Sequence, residues 1–271
     1  SCFNVLIVWA WKLIAMCGNN YRKNYPMVAK CIENFSIYYG DCLDVEPVKK
    51  PKLILTDPPY ATGKVQSRLG GERYADKETA EQISDKIETL CEKWFGVDTT
   101  LAVICDYRLA YPLVAKLTKF GLVLRGEIIW QFGLGAARKS WWPNKHNHIL
   151  TFTETEASGQ FDPSAIPRTK RIAESKGYPP DKPLGSVWEY TFSNTHSERV
   201  KYPNQKPLAL LEPIVKAHTF ESDLVFDPFM GSGSTGVASI RNGRRFIGCD
   251  IKKEACEIAT ERIKKELSNG V

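Results

Sequence analysis

Asp57-Pro58-Pro59-Tyr60 gathers, in four residues, groups that can grip a planar amine. Asp57 is an acceptor and Tyr60 a flat ring. Pro58 and Pro59 fix φ and lack N–H donors, so their carbonyls stand clear of any strand ladder and can accept from a ligand. The preceding Leu53-Ile54-Leu55-Thr56 is short, apolar and branched enough for a buried parallel strand. The tetrapeptide then falls at the carboxyl end of a strand, where open α/β sheets put their ligands. Taken alone, the same residues read equally well as a Pro-rich turn, with Asp57 as its turn residue and Tyr60 as cover.

A second stretch with chemistry in it lies far downstream. Leu224-Val225-Phe226 reads as a strand running into Asp227-Pro228-Phe229-Met230-Gly231-Ser232-Gly233-Ser234-Thr235-Gly236. Gly231 and Gly233 let the backbone approach a ligand closely, and Ser234 and Thr235 open a helix that ends near Gly243. Arg245–Cys249 is the next strand and closes on Asp250, about 20 positions past the first glycine, where an acid commonly binds ribose hydroxyls. A lone GxG is a weak sign, but the whole strand–turn–helix–strand unit points to a nucleotide-like ligand. Lys206 precedes Pro207, which opens another helix, so its charge and the positive helix end both favour an anion. Asp41 follows the strand-like Phe35–Tyr39 and Gly40; it is left at the sheet's carboxyl edge, or caps a helix before Leu43.

The elements that must position these groups alternate. Glu78–Phe95 places Ile83, Ile87, Leu90, Cys91 and Trp94 at helical spacing. Leu101–Cys105 is a strand, and Tyr111–Phe120 a helix ended by Gly121. Leu122–Leu124 with Glu127–Phe132, and His146–Thr153, supply further strands; Lys252–Leu267 is a last amphipathic helix. This alternation predicts an α/β fold with a doubly wound, mostly parallel sheet. Three stretches interrupt it. Residues 61–79 are polar and Gly-rich, with Lys64, Arg68 and Arg73, and are long enough to be a functional loop that closes over substrate. Residues 133–145 interleave glycines with Arg138, Lys139, Trp141 and Trp142, as nucleic-acid surfaces do. Residues 155–204 carry isolated aromatics without a period and read as an irregular insertion outside the sheet. The first two read as solvated surface loops just as well.

With 271 residues, 25% charged and 43% hydrophobic, the chain is bounded to a soluble globular class, one α/β domain with an insertion. A net charge of +6 is compatible with nucleic acid without arguing for it. The eight cysteines form no CxxC pair and several lie in apolar runs, so they read as reduced, buried thiols of a cytoplasmic protein. His146 and His148 share a strand face, but no third ligand stands nearby and no metal site is expected. Residues 2–17 are apolar yet short of the roughly 20 a membrane span needs, and Lys12 interrupts them. Their basic residues do not come first, as a signal peptide requires. Residues 1–34 are expected to be an accessory segment and polar linker, with an extra packed element or a homodimer contact among the readings. A chain opening on Ser rather than Met is read as having a start other than the native one.

Asp57-Pro58-Pro59-Tyr60, Gln205-Lys206-Pro207, Asp227 through Thr235 and Gly248-Cys249-Asp250-Ile251, in that order, resemble the beta-class S-adenosylmethionine-dependent DNA amino-methyltransferases. The resemblance spans roughly residues 35–271, with Tyr202-Pro203-Asn204 where the family often has His-Pro-Thr. It implies a seven-stranded Rossmann-like methyltransferase sheet with a permuted order, catalytic motif before cofactor motif. Phe229, Gly231 and Gly233 would wrap S-adenosylmethionine, with Ser234 and Thr235 in the same turn and Asp227 beside the methionine portion. Lys206 would pair with its carboxylate, Asp250 hold the ribose and Asp41 meet the adenine amino group. The substrate is double-stranded DNA with a base flipped out. Tyr60 would stack on that base while Asp57 and the Pro58 carbonyl accept its amino hydrogens. A Ser-led motif is absent, which favours adenine N6 over cytosine N4. Residues 155–204 sit where the family reads its target, making Arg168, Lys170, Arg171, Lys176, Arg199 and Lys201 candidates for DNA contacts. A bacterial or phage origin follows. The rivals are a methyltransferase for RNA or protein amines and a catalytically idle DNA-binding relative.

Overall fold

The computed structural model describes residues 27–32, 34–59, 65–66, 74–75, 78–132, 142–170, 181–190 and 198–269. In chain order the strands are β1 (Met27–Ile32), β2 (Phe35–Tyr39), β3 (Leu53–Thr56), β4 (Val65–Gln66), β5 (Tyr74–Ala75), β6 (Thr100–Cys105), β7 (Val123–Gln131), β8 (His146–Thr153), β9 (Arg168–Lys170), β10 (Asp181–Pro183), β11 (Val187–Glu189), β12 (Leu224–Asp227) and β13 (Arg245–Asp250). The helices are α1 (Ala80–Trp94), α2 (Tyr107–Phe120), α3 (Leu208–His218), α4 (Ser234–Arg241) and α5 (Lys253–Asn269).

Every residue of β3, β6 and β12 is buried, as expected of strands covered by helices on both faces. One large sheet runs β1-β2-β13-β12-β3-β6-β8-β7-β11. From β2 to β6 it is parallel; β8 lies antiparallel to both of its neighbours. Two apolar layers enclose it. Phe35, Leu53, Val225 and Phe246 pack with α3, α4 and α5 on one face. Ile54, Leu101, Val103 and Phe226 pack with α1 and α2 on the other, where Trp94 stacks on Phe226 at 3.9 Å between ring centroids. Helix α1 begins with a capping box, Thr79 N–H donating to Gln82 Oε1 and Gln82 N–H to Thr79 Oγ1, and buries the apolar positions expected of it. Among the described residues no helix is long and apolar enough to cross a membrane.

Three expectations need correction. The sheet has nine strands: the seven expected form the run β2 to β7, and one strand is added at each edge. β1 pairs antiparallel with β2, although Met27–Ile32 fall in the stretch read as linker. β11 pairs parallel with β7, Val187 opposite Ile129, although the 155–204 region was expected off the sheet. Trp188 explains the second departure: its buried ring anchors a three-residue strand onto the core beside Trp130, whose indole N–H donates to the Tyr190 carbonyl. Residues 1–26 lie outside the described residues, and so does the accessory reading of them. Cys42, Cys91, Cys105, Cys249 and Cys256 are buried thiols.

Candidate active site

Neighbouring parallel strands end together, and that alone assembles the site. Asp41 follows β2, Asp57 follows β3, Asp227 ends β12 and Asp250 ends β13, strands that are adjacent in the order β2-β13-β12-β3. The four carboxylates therefore meet along one carboxyl edge, and all four line a single cavity of about 450 Å³. Such a volume is in the range of small-molecule sites. Pro58, Pro59, Lys206, Phe229, Gly231, Ser234 and Thr235 line it too, so the amine-gripping turn and the glycine turn open on the same space.

One bond ties the two turns together, and an ion pair ties the Asp57 turn to the loop that carries Lys206. Thr56 Oγ1 donates to Asp227 Oδ1 at 2.8 Å in the buried interior, joining residues at the ends of β3 and β12. Lys206 Nζ ion-pairs with Asp57 Oδ2, and donates to the Asn204 carbonyl at 3.2 Å. The structure thus brings Lys206, expected at the cofactor's carboxylate, onto the carboxylate of Asp57. Asp227 Oδ1 also accepts from Phe229 N–H, which shapes the start of the glycine turn. Complete burial pushes Asp227 up to about 7, against the Thr235 and Thr56 hydroxyls and the Phe229 N–H, which favour its charged form.

Asp250 holds the turn from the other side. Its Oδ2 accepts from Gly231 N–H at 2.9 Å and its Oδ1 from Lys252 N–H at 2.8 Å. Burial raises its pKa and those two N–H groups oppose the rise. Each oxygen keeps a further acceptor site for a hydroxyl. Gly231 and Gly233 have φ of 52° and 76°, the left-handed region that favours glycine. Gly233 is doubly constrained, because a Cβ there would stand 2.6 Å from Ala259 Cβ on α5. Asp41 Oδ1 accepts from Leu43 N–H, the capping alternative, and Asp41 still lines the cavity.

Glu78, Lys86, Tyr202, Met230 and Ser232 line the cavity as well, and none was singled out from the sequence. Lys86 pairs with Glu78 at 2.9 Å. Burial alone would lower the Lys86 pKa, but the Glu78 hydrogen bond and the Asp41 charge outweigh it and the net shift is upward. Tyr202 packs its ring edge over Gly231, 3.4 Å from where a Cβ would be, and burial raises its phenol pKa. Met230 and Ser232 lie within the motif Asp227–Thr235, and Tyr202 marked the departure before Gln205-Lys206-Pro207; Glu78 and Lys86 carried no sequence signal for the site.

Tyr60, Lys64, Arg68, Arg138, Lys139 and Arg171 lie outside the described residues. Arg168 and Lys170 are exposed on β9, where Arg168 grips Asp181 of β10 at 2.6 and 3.0 Å. Arg199 and Lys201 are exposed beside the cavity-lining loop 202–206.

A protein-family model described as DNA methylase matches residues 52–261. The Type II methyltransferase M2.LlaDCHI of Lactococcus lactis subsp. cremoris is 28% identical over 275 residues, covering 94% of this chain and 100% of the relative. M.BglII of Bacillus subtilis, also a Type II methyltransferase, is 30% identical over 256 residues, covering 85% and 69%. Among solved structures, the M1.HpyAVI–SAM complex aligns with a TM-score of 0.62 at 25% identity, over 84% of this chain and 98% of that one. The PvuII DNA methyltransferase (cytosine-N4-specific) aligns with a TM-score of 0.67 at 18% identity, over 91% and 94%, a likeness of fold alone.

Proposed function

The chain belongs to the DNA methylase family, and from that premise we propose that it methylates the exocyclic N6 of adenine in duplex DNA, using S-adenosylmethionine. The observation that carries the proposal is the single cavity shared by the Asp57 turn and the glycine turn. Its lining fits the cofactor chemically. Asp41, Asp57, Glu78, Asp227 and Asp250 stand against Lys86, Lys206 and Lys252, an acidic excess suited to a ligand bearing a sulfonium and an ammonium. Phe229 and Ile251 add apolar surface and Asp250 keeps acceptor sites for ribose.

S-adenosylmethionine, when bound, supplies an electrophilic methyl group. Asp250 would hold the ribose, Asp41 the adenine amino group, and Lys206 the carboxylate; Gly231, Gly233, Ser234 and Thr235 would form the floor. The protein's other task is the acceptor nitrogen. An exocyclic amine shares its lone pair with the ring and is a poor nucleophile. The Asp57 carboxylate and the Pro58 carbonyl accept its two hydrogens, which favours a pyramidal nitrogen with its lone pair free of the ring. Lys206 ion-pairs with Asp57, an arrangement that suits a charged acceptor. A strong base is unnecessary, because a methylated, positively charged amine gives up its proton readily. Tyr60 stacks on the flipped base, and positioning supplies much of the acceleration.

The Asp-led motif supports adenine, and the Type II relatives support site-specific modification in a restriction–modification setting. Arg168, Lys170, Arg199 and Lys201 would track the duplex, with Lys64, Arg68, Arg138, Lys139 and Arg171. The test is Asp57→Ala with labelled S-adenosylmethionine and unmethylated duplex DNA. Transfer should vanish while cofactor binding persists; transfer at the wild-type rate would refute the role of Asp57.

A further inference from the structure

Arg262 lies on α5, outside every motif, yet it reaches the back of the glycine turn. Its Nη1 donates to the Ser232 carbonyl at 2.6 Å and stands 3.2 Å from both Ser232 Oγ and Ser234 Oγ. Ser232 and Ser234 line the cavity from the turn's other side. Ala259, one helical turn before Arg262, is the residue on which Gly233 rests. One stripe of α5 is therefore the rear wall of the turn, and Arg262 is the charged member of it that bonds the turn. Glu266, the acid one turn further along α5, is already gripped by Arg241 at 2.7 and 2.9 Å.

From other elements the Glu198 carboxylate attracts Arg262 and the Arg241 guanidinium repels it. Glu198 organises the opposite wall. Its Oε2 accepts from Leu208 N–H at 3.3 Å, and its carbonyl from Gln205 Nε2 at 2.8 Å. Gln205 Oε1 in turn accepts from Val200 N–H at 2.9 Å. That closes the loop carrying Tyr202 and Lys206. The guanidinium is thus bonded to one wall and attracted to the acid that shapes the other. Burial lowers its pKa, but arginine stays protonated in a folded protein.

We infer that Arg262 is a positioning residue for the cofactor: it holds the Ser232–Ser234 turn and, through Glu198, sets its spacing from the loop that carries Lys206. This rests on the cofactor assignment above. Nη1 carries two hydrogens, one for the Ser232 carbonyl and one shared by the two hydroxyls, and the planar guanidinium is pre-organised to aim them where a flexible ammonium is not.

The test measures S-adenosylhomocysteine affinity by calorimetry, with kcat and KM for S-adenosylmethionine, in Arg262→Met, Arg262→Lys, Glu198→Gln and the Met/Gln double variant. All are assayed well below their melting temperatures. Losing charge-assisted hydrogen bonds that shape a binding turn costs about 10- to 100-fold in affinity. Arg262→Met should weaken affinity and raise KM by about 10- to 100-fold, with kcat at saturation within about threefold. Arg262→Lys should recover part of the loss, and the double variant should lose less than the product of the single losses. Affinity within twofold of wild type in Arg262→Met, whatever its melting temperature, would overturn the inference. Should Arg262→Met not fold, wild-type affinity in Arg262→Lys would overturn it equally. Failure of the wild-type chain to bind S-adenosylhomocysteine would instead remove the cofactor assignment, and this inference with it.

Discussion

Lys206→Met probes the junction between the Asp57 turn and the loop that carries Lys206. The Lys206 side chain is 8% exposed and that of Asp57 22%, so their ion pair is largely out of water. Methionine keeps most of the volume and removes the charge. Breaking a buried pair from one side costs about 3–5 kcal/mol. Asp57 has an escape, however, because it can take up a proton. Above a free value of about 3.9 that costs about 1.36 kcal/mol per pH unit. The penalty is therefore capped near about 4 kcal/mol at pH 7 and near about 1.5 kcal/mol at pH 5. Residual solvent at Asp57 lowers both, to about 2–3 and about 1 kcal/mol. The sign follows from linkage: in the variant the folded chain binds this proton more readily than the unfolded chain, so stability relative to wild type falls as pH rises. Asp57→Asn removes the other charge and the double variant removes both, so the two effects should couple strongly. The assay is urea unfolding of the four proteins at pH 5 and pH 7. A Lys206→Met penalty that does not change with pH, or a double variant equal to the sum of the singles, would refute the reasoning.

Asp227 gives a pH signature of the same sign in a wild-type residue. Its pKa is pushed from 3.8 up to about 7, so its contribution is full below about 3.8 and lost as pH rises through about 7. Asp227→Asn cannot titrate and should gain on wild type by up to about 4 kcal/mol from pH 4 to pH 8 in urea unfolding, whereas a constant difference would contradict the assignment. Gly233→Ala puts a Cβ 2.6 Å from Ala259 Cβ at a φ of 76°. Left-handed strain of about 1–2 kcal/mol and overpacking of about 1–3 kcal/mol should lower the melting temperature by roughly 5 °C or more. A shift within a degree would show that the turn yields freely.

Much of the fold could be read from local pattern. β3, β6 and β12 are buried runs rich in apolar residues, and the five apolar positions of α1 all point inward. The start of α2 could not be read as well. Pro112 suits a first helical turn, yet the helix starts at Tyr107 because Asp106 caps it by accepting from Arg108 N–H. β1 and β11 escaped because each exists through pairing with a sheet edge, and a three-residue strand has no period to read.

The site divides along the same line. Asp57, Asp227 and Asp250 were legible because each ends a readable strand. The contact between Lys206 and Asp57 was not, since it joins residues 149 positions apart. Arg262 looked like one more polar residue on an amphipathic helix; its role appears only once the stripe of α5 that includes Ala259 is seen against the turn.

The identity of the methylated nucleoside bears most directly on the central claim. Unmethylated duplex DNA is incubated with the full chain and methyl-labelled S-adenosylmethionine, hydrolysed, and its nucleosides separated by mass. The expected product is N6-methyldeoxyadenosine at one recurring sequence. Label in N4-methyldeoxycytidine would contradict the choice of base, and label on RNA or protein with none on DNA would contradict the function itself.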